Sequence, residues 1–170
     1  ISQSYKFDQF THGFVEILAA EQTLSDSSWY QGTADAVRQH LAHFLNHRFD
    51  YFLILSGDQL YNINFREVIT QHIESKAELT VATIPVQRES VPGFGIMKIS
   101  DDNRITEFVE KPKEAGVIDS LRMPTVTKEQ IGAAVKDDLY LASMGIYVFN
   151  RDVLVELLDN DLTDFGKHII

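Results

Sequence analysis

The sequence predicts an α/β fold in which a mixed, mostly parallel sheet is flanked by helices and carries an inserted β-hairpin. Three observations predict it. The run Tyr51-Phe52-Leu53-Ile54-Leu55-Ser56-Gly57-Asp58 is apolar without alternation until it ends in a glycine and a carboxylate, the pattern of a parallel strand covered on both faces. Apolar residues at helical spacing precede and follow it, giving the order strand, helix, strand, helix, strand of linked βαβ units. Beyond Pro85, two short strand-like runs flank Asp101-Asp102-Asn103, a composition suited to a tight turn.

Taken in order, residues 13–19 read as a first strand, followed by a polar loop through Ser28. Thr33 is placed to cap a helix reaching about His47, with Val37, Leu41, Phe44 and Leu45 on one face. The strand at 51–56 follows. Asn64 can cap the next helix, whose apolar stripe is Phe65, Val68, Ile69 and Ile73, and Lys76 suits its C-terminal end. A strand is expected from Leu79 to Pro85, and the hairpin strands at 94–100 and 104–110. Residues 113–138 are polar with little periodicity, so a long surface insertion is expected there, with a short helix near 128–135. A strand at 141–149 and a helix at 152–158 complete the order, and a last helix starts near Asp164.

Composition narrows the function. The 170 residues carry 15 Lys and Arg against 25 Asp and Glu, a formal charge of -10, which disfavours non-specific attraction to nucleic-acid phosphates. The absence of cysteine removes disulfides, thiolate metal sites and cysteine nucleophiles, and points to a reducing, cytoplasmic setting. No apolar run approaches the roughly 20 residues of a membrane helix, so no membrane partner is expected. The chain begins without methionine and stops within an apolar helical start, so both ends are expected to be cut from something longer.

Four stretches carry chemistry. Asp58, at the carboxyl end of a strand, stands where open α/β sheets bind ligands and could hold Mg2+ through oxygen; it could equally cap the next turn. In Gln31-Gly32-Thr33-Ala34-Asp35-Ala36, small residues at a helix start permit close approach of a phosphate or nucleotide, although many helices start this way. This is no Walker loop, since no lysine follows at the required spacing. In Phe108-Val109-Glu110-Lys111-Pro112, Lys111 could take a phosphate and Glu110 sugar hydroxyls, against the commoner reading of a surface ion pair. Gly145, in Ser143-Met144-Gly145, marks either a ligand's approach or a bulge. His40, His43 and His47 share helical spacing, but with no evident acidic or cysteine partner a solvated stripe explains them. No Gly-x-Ser-x-Gly elbow supports a hydrolase.

Together these stretches resemble the ADP-glucose pyrophosphorylase (glucose-1-phosphate adenylyltransferase) family over nearly the whole chain. The resemblance rests on Trp29 to Val37, Leu55 to Tyr61, Phe94-Gly95, Phe108 to Pro112, Ala142 to Val148 and Asp164-Phe165-Gly166. It implies a Rossmann-like, GT-A-like nucleotide-diphospho-sugar transferase fold that makes ADP-glucose and pyrophosphate from ATP and glucose 1-phosphate with Mg2+. It implies Asp58 as metal ligand and catalytic residue, and Lys111 as the catalytic group on the sugar phosphate. Glu110 and Ser143 would contact glucose, and Gly32, Thr33, Tyr30 and Gly95 would line the substrate pocket. Gln59 departs from the family's usual histidine. The family's glycine-rich loop would precede residue 1, and its second metal-binding aspartate and β-helix domain would follow residue 170. By this resemblance the chain is a partial catalytic domain, inactive alone, from an allosteric homotetramer. Other sugar-nucleotide pyrophosphorylases making dTDP-, UDP- or GDP-sugars, and a non-catalytic regulatory subunit, stay open as alternatives.

Overall fold

A computed structural model of the chain describes residues 13–19, 29–57, 60–124, 127 and 138–170. Its elements run α1 (Thr33–Gln39), α2 (Leu41–Leu45), β1 (Tyr51–Leu55), α3 (Phe65–Ser75), β2 (Leu79–Gln87), a 3-10 turn (Arg88–Gly93), β3 (Gly95–Ile99), β4 (Ile105–Glu110), α4 (Ala115–Ser120), β5 (Leu139–Asn150), α5 (Arg151–Leu157) and a π-type turn (Phe165–Ile169). A five-stranded sheet with flanking helices bears out the α/β expectation, and β3 and β4 form the expected hairpin.

Strand direction departs from the expectation. Every ladder among the described residues is antiparallel, whereas a mostly parallel sheet was predicted. The reason is β5. Strands β1 and β2 both pair antiparallel with it at residues 147–149, so they must lie on opposite edges of β5 and run in the same direction as each other. The unit β1, α3, β2 is therefore a crossover with β5 inserted between its two strands. A local reading sees the two like-directed strands but not the strand, distant in sequence, that separates them.

The same insertion moves the most buried position in the sheet. Strand β5 is buried on both faces along nearly its whole length, while β1 is only half-buried and exposes Tyr51 and Leu55 at its ends. An uninterrupted apolar run suits a strand buried on both faces, and β5 meets that condition more nearly than β1. Among the described residues β1 pairs along one edge alone.

One edge of β5 is shared by two strands. Leu141 and Ala142 pair with Met97 and Ile96 of β3, and residues 146–150 pair with β1. Both groups lie opposite β2, which follows the other edge of β5. Between them, Ser143, Met144 and Gly145 meet neither strand, and the register against β2 slips between Val81 and Thr83. Gly145 has φ 66, a left-handed conformation that glycine adopts without steric cost. The sheet thus has a notch, bordered by the end of β1 and the start of β3.

Other elements follow local signals. Asn64 caps α3 as expected, accepting from the Arg66 amide at 3.2 Å. The buried His72 on α3 joins two strands, with Nδ1 2.8 Å from Thr80 Oγ1 and Nε2 3.1 Å from Asn150 Oδ1. Three expectations are corrected. Residues 13–19 form no strand: Phe14, Val15 and Ile17 are exposed, and the segment contacts α2 through a Glu16–His43 ion pair and the turn after it through a Phe14–His47 ring pair. The single helix expected from Thr33 to His47 breaks at His40, whose φ of -106 leaves the helical range. Within the supposed surface insertion, α4 and the residues after it bury Ile118, Leu121 and Met123. The helix expected near 128–135 lies outside the described residues.

The core sits on both faces of β5. Ala34, Tyr147, Phe149, Leu154, Leu158 and Phe165 pack α1, α5 and the final turn together. Val91, Ile96, Ile118, Leu121, Tyr140 and Ala142 hold the 3-10 turn, β3 and α4. Full burial of a side chain such as Phe149 or Leu154 contributes about 1.5–3 kcal/mol. Among the described residues no helix is long and apolar enough to cross a membrane.

Candidate active site

The site is built around the notch in β5. At the open end of the hairpin Gly95 stands opposite Glu110. A Cβ on Gly95 would strike the Phe108 ring and come 2.7 Å from Glu110 Oε2. From the other side, a Cβ on Gly166 would come 2.8 Å from the same oxygen. The Glu110 carboxylate therefore occupies space that two glycines leave open, and its other oxygen is 3.4 Å from Lys111 Nζ.

Lys111 ends the strand in an unusual way. Its φ is 47, in the left-handed region, and its amide donates to the Phe94 carbonyl at 3.0 Å. Non-glycine residues seldom adopt this conformation, and a residue preceding proline is held away from helical ψ values by the proline ring. The kink terminates β4 and leaves the Lys111 side chain largely exposed, while Pro112 is buried.

Two hydroxyls, of Tyr147 and Ser143, and one further carboxylate, of Asp164, lie near this pair. Burial pushes the Tyr147 phenol above its usual range, a hydrogen bond with Ser143 opposes the rise, and the negative fields of Glu110 and Asp164 add to it. Ser143 Oγ also accepts from the Gly145 amide at 3.2 Å, which holds the bulge. Tyr61 Oη donates to the Ser56 carbonyl at 2.9 Å at the end of β1.

The final turn ties this group to α1. The Thr163 carbonyl accepts from the amides of Ala34 at 2.9 Å and Asp35 at 3.2 Å, so those two amides are engaged within the fold. A Cβ on Gly32 would collide with that carbonyl. Thr33 was expected to cap the helix; the structure puts Gly32 at the cap and Thr33 in the first turn, where its hydroxyl donates to Asp164 Oδ2 at 3.4 Å. The Phe165 amide donates to Thr33 Oγ1 at 3.3 Å.

The fold thus brings Thr33, Gly95, Glu110, Lys111 and Ser143 into one connected group, with Gly32 behind it. Tyr30 is turned elsewhere, its hydroxyl 2.5 Å from His40 Nε2. Asp58 and Gln59 lie outside the described residues. Carboxylate oxygen is the donor type that Mg2+ takes, but among the described residues no group of three or more His, Cys, Asp or Glu gathers to hold a metal. Sequence reasoning gave no role to Tyr147, Thr163 or Gly166. Only the motif Asp164-Phe165-Gly166 hinted at the last.

A comparison with known families decides the class, since the nucleotidyl transferase family matches residues 1–169. The chain belongs to the nucleotidyl transferase family. Membership makes this a nucleotidyl transferase domain, and the notch in β5 is taken as its candidate site from the geometry.

Proposed function

We propose that this domain serves adenylyl transfer from ATP to glucose 1-phosphate, forming ADP-glucose and pyrophosphate. The supporting observation is the convergence of Glu110, Lys111 and Ser143 at the notch, in a chain of this family that also carries the adenylyl-type motifs Gly32-Thr33-Ala34-Asp35-Ala36 and Ala142-Ser143-Met144-Gly145-Ile146-Tyr147.

In this reading a phosphate oxygen of glucose 1-phosphate attacks the α-phosphorus of ATP. The new P–O bond forms as the bond to the β-phosphate's bridging oxygen breaks, and pyrophosphate leaves with that electron pair. Such reactions depend mainly on positioning and charge neutralisation. Lys111 supplies a positive charge for the sugar phosphate, and Glu110 and Ser143 accept from or donate to glucose hydroxyls. Gly32 and Thr33 line the nucleotide side. Asp58 would hold Mg2+, which when bound neutralises charge on the nucleotide phosphates.

The test is pyrophosphate release by the full natural chain with glucose 1-phosphate and ATP, UTP, dTTP or GTP in turn. ATP is expected to give the highest kcat/KM. Faster release with UTP or dTTP would move the domain to another sugar-nucleotide branch, and tight ligand binding without release would make it a regulatory subunit.

A further inference from the structure

We infer that Gly166 is a positioning residue, fixing the Glu110 carboxylate beside Lys111 and thereby tuning the site for its sugar phosphate; this rests on the reading of Glu110 and Lys111 given above. The turn that carries Gly166 is anchored at several points. The Thr163 carbonyl takes the Ala34 and Asp35 amides. Asp164 accepts from the Lys167 amide at 3.0 Å, and its other carboxylate oxygen takes the Thr33 hydroxyl. Phe165 is buried against Tyr147 and Phe149, with ring centroids 5.8 and 5.7 Å away.

A turn held this way does not retreat when a side chain is added to it. A Cβ on Gly166 would lie 2.8 Å from Glu110 Oε2 and 3.3 Å from Glu110 Cδ, while the nearest other atom, in the Phe108 ring, stays 3.7 Å away in ordinary contact. Glu110 is the end of a flexible side chain, so it yields rather than the backbone. The room it yields into lies on the β3 side, where Gly95 carries no side chain. The methyl group of an alanine would therefore push the carboxylate from its place next to Lys111. The effect falls on the acceptor side of the reaction.

The experiment compares Gly166→Ala with the unaltered protein, using the full natural chain and whichever nucleotide and sugar 1-phosphate it uses best. Gly166→Ala is expected to raise KM for the sugar 1-phosphate about tenfold, the scale of coupling between touching residues, with KM for the nucleotide nearly unchanged. Combining it with Glu110→Asp, whose shorter side chain clears the methyl group, is expected to bring the sugar phosphate KM back toward that of Glu110→Asp alone. In a Glu110→Ala background, Gly166→Ala is expected to add nothing. Unchanged KM values, equal shifts in both, or a full additional loss in the Glu110→Ala background would overturn the proposal. Nucleotide preference is read from the unaltered protein, so a failed ADP-glucose assignment leaves this comparison intact.

Discussion

Gly95 faces Glu110 across the open end of the β3–β4 ladder, and the side chain that glycine lacks is the space the carboxylate and the Phe108 ring occupy. Gly95→Ala is therefore expected to lower unfolding stability by about 1–3 kcal/mol, the usual cost of overpacking a filled site. Chemical denaturation measures it. Gly116→Ala serves as the control, since no atom lies within 4 Å of the added Cβ and alanine favours a helix.

Lys111 combines a strained backbone with the charge proposed to hold the sugar phosphate, and the two can be separated. Lys111→Gly relieves a conformation that costs an L-residue about 1–2 kcal/mol, offset in part by the greater freedom of glycine in the unfolded chain. Its stability is expected to stay equal or rise slightly, while binding of the sugar phosphate weakens by about 10–100-fold, the worth of one hydrogen bond to a charged group. Calorimetric titration against a thermal melt distinguishes this from Lys111→Ala, which loses the charge and keeps the strain.

His72 ties α3 to Thr80 of β2 and to Asn150 at the end of β5. Replacement by leucine keeps the volume but strands two polar partners, at about 1–3 kcal/mol for each group left buried without one. His72→Leu is thus expected to show a lower denaturation midpoint with unchanged substrate KM values at a permissive temperature. A fall in KM or a rise of more than a few-fold would show that His72 reaches the site.

Alkaline pH is expected to weaken the fold through Tyr147. Burial favours its neutral form, so its pKa is higher folded than unfolded. The unfolded chain releases this proton first, near the ordinary value of 10.0. The stability is therefore fully present below about pH 10 and lost as pH rises through the folded pKa. Tyr147→Phe is expected to flatten that part of the stability profile, measured by denaturation at stepped pH.

Much of this architecture was legible locally. The Asn64 cap, the stripe on α3, the hairpin turn ending at Asn103 with φ 62, and the strand at Gly145 all follow from residue type and spacing. Residues 13–19 misled because apolar β-forming residues predict a strand only when a partner edge is present, and the described residues provide none. Helix α4 was missed because its larger apolar residues, Val117 and Ile118, with Leu121 at its C-cap, are too few for a clear period.

By itself, the sequence determined the α/β class, the identity of most elements and the motifs around Glu110, Lys111 and Ser143, because propensity, capping and periodicity act over a few residues. The tertiary structure alone decided that β5 enters between β1 and β2, that its outer edge opens a notch at Ser143 to Gly145, and that Gly32, Gly95 and Gly166 are needed where they stand. Strand pairing and close approach depend on atoms far away along the chain. A glycine reads the same in sequence whether it meets a carboxylate or open space, as Gly166 and Gly116 do.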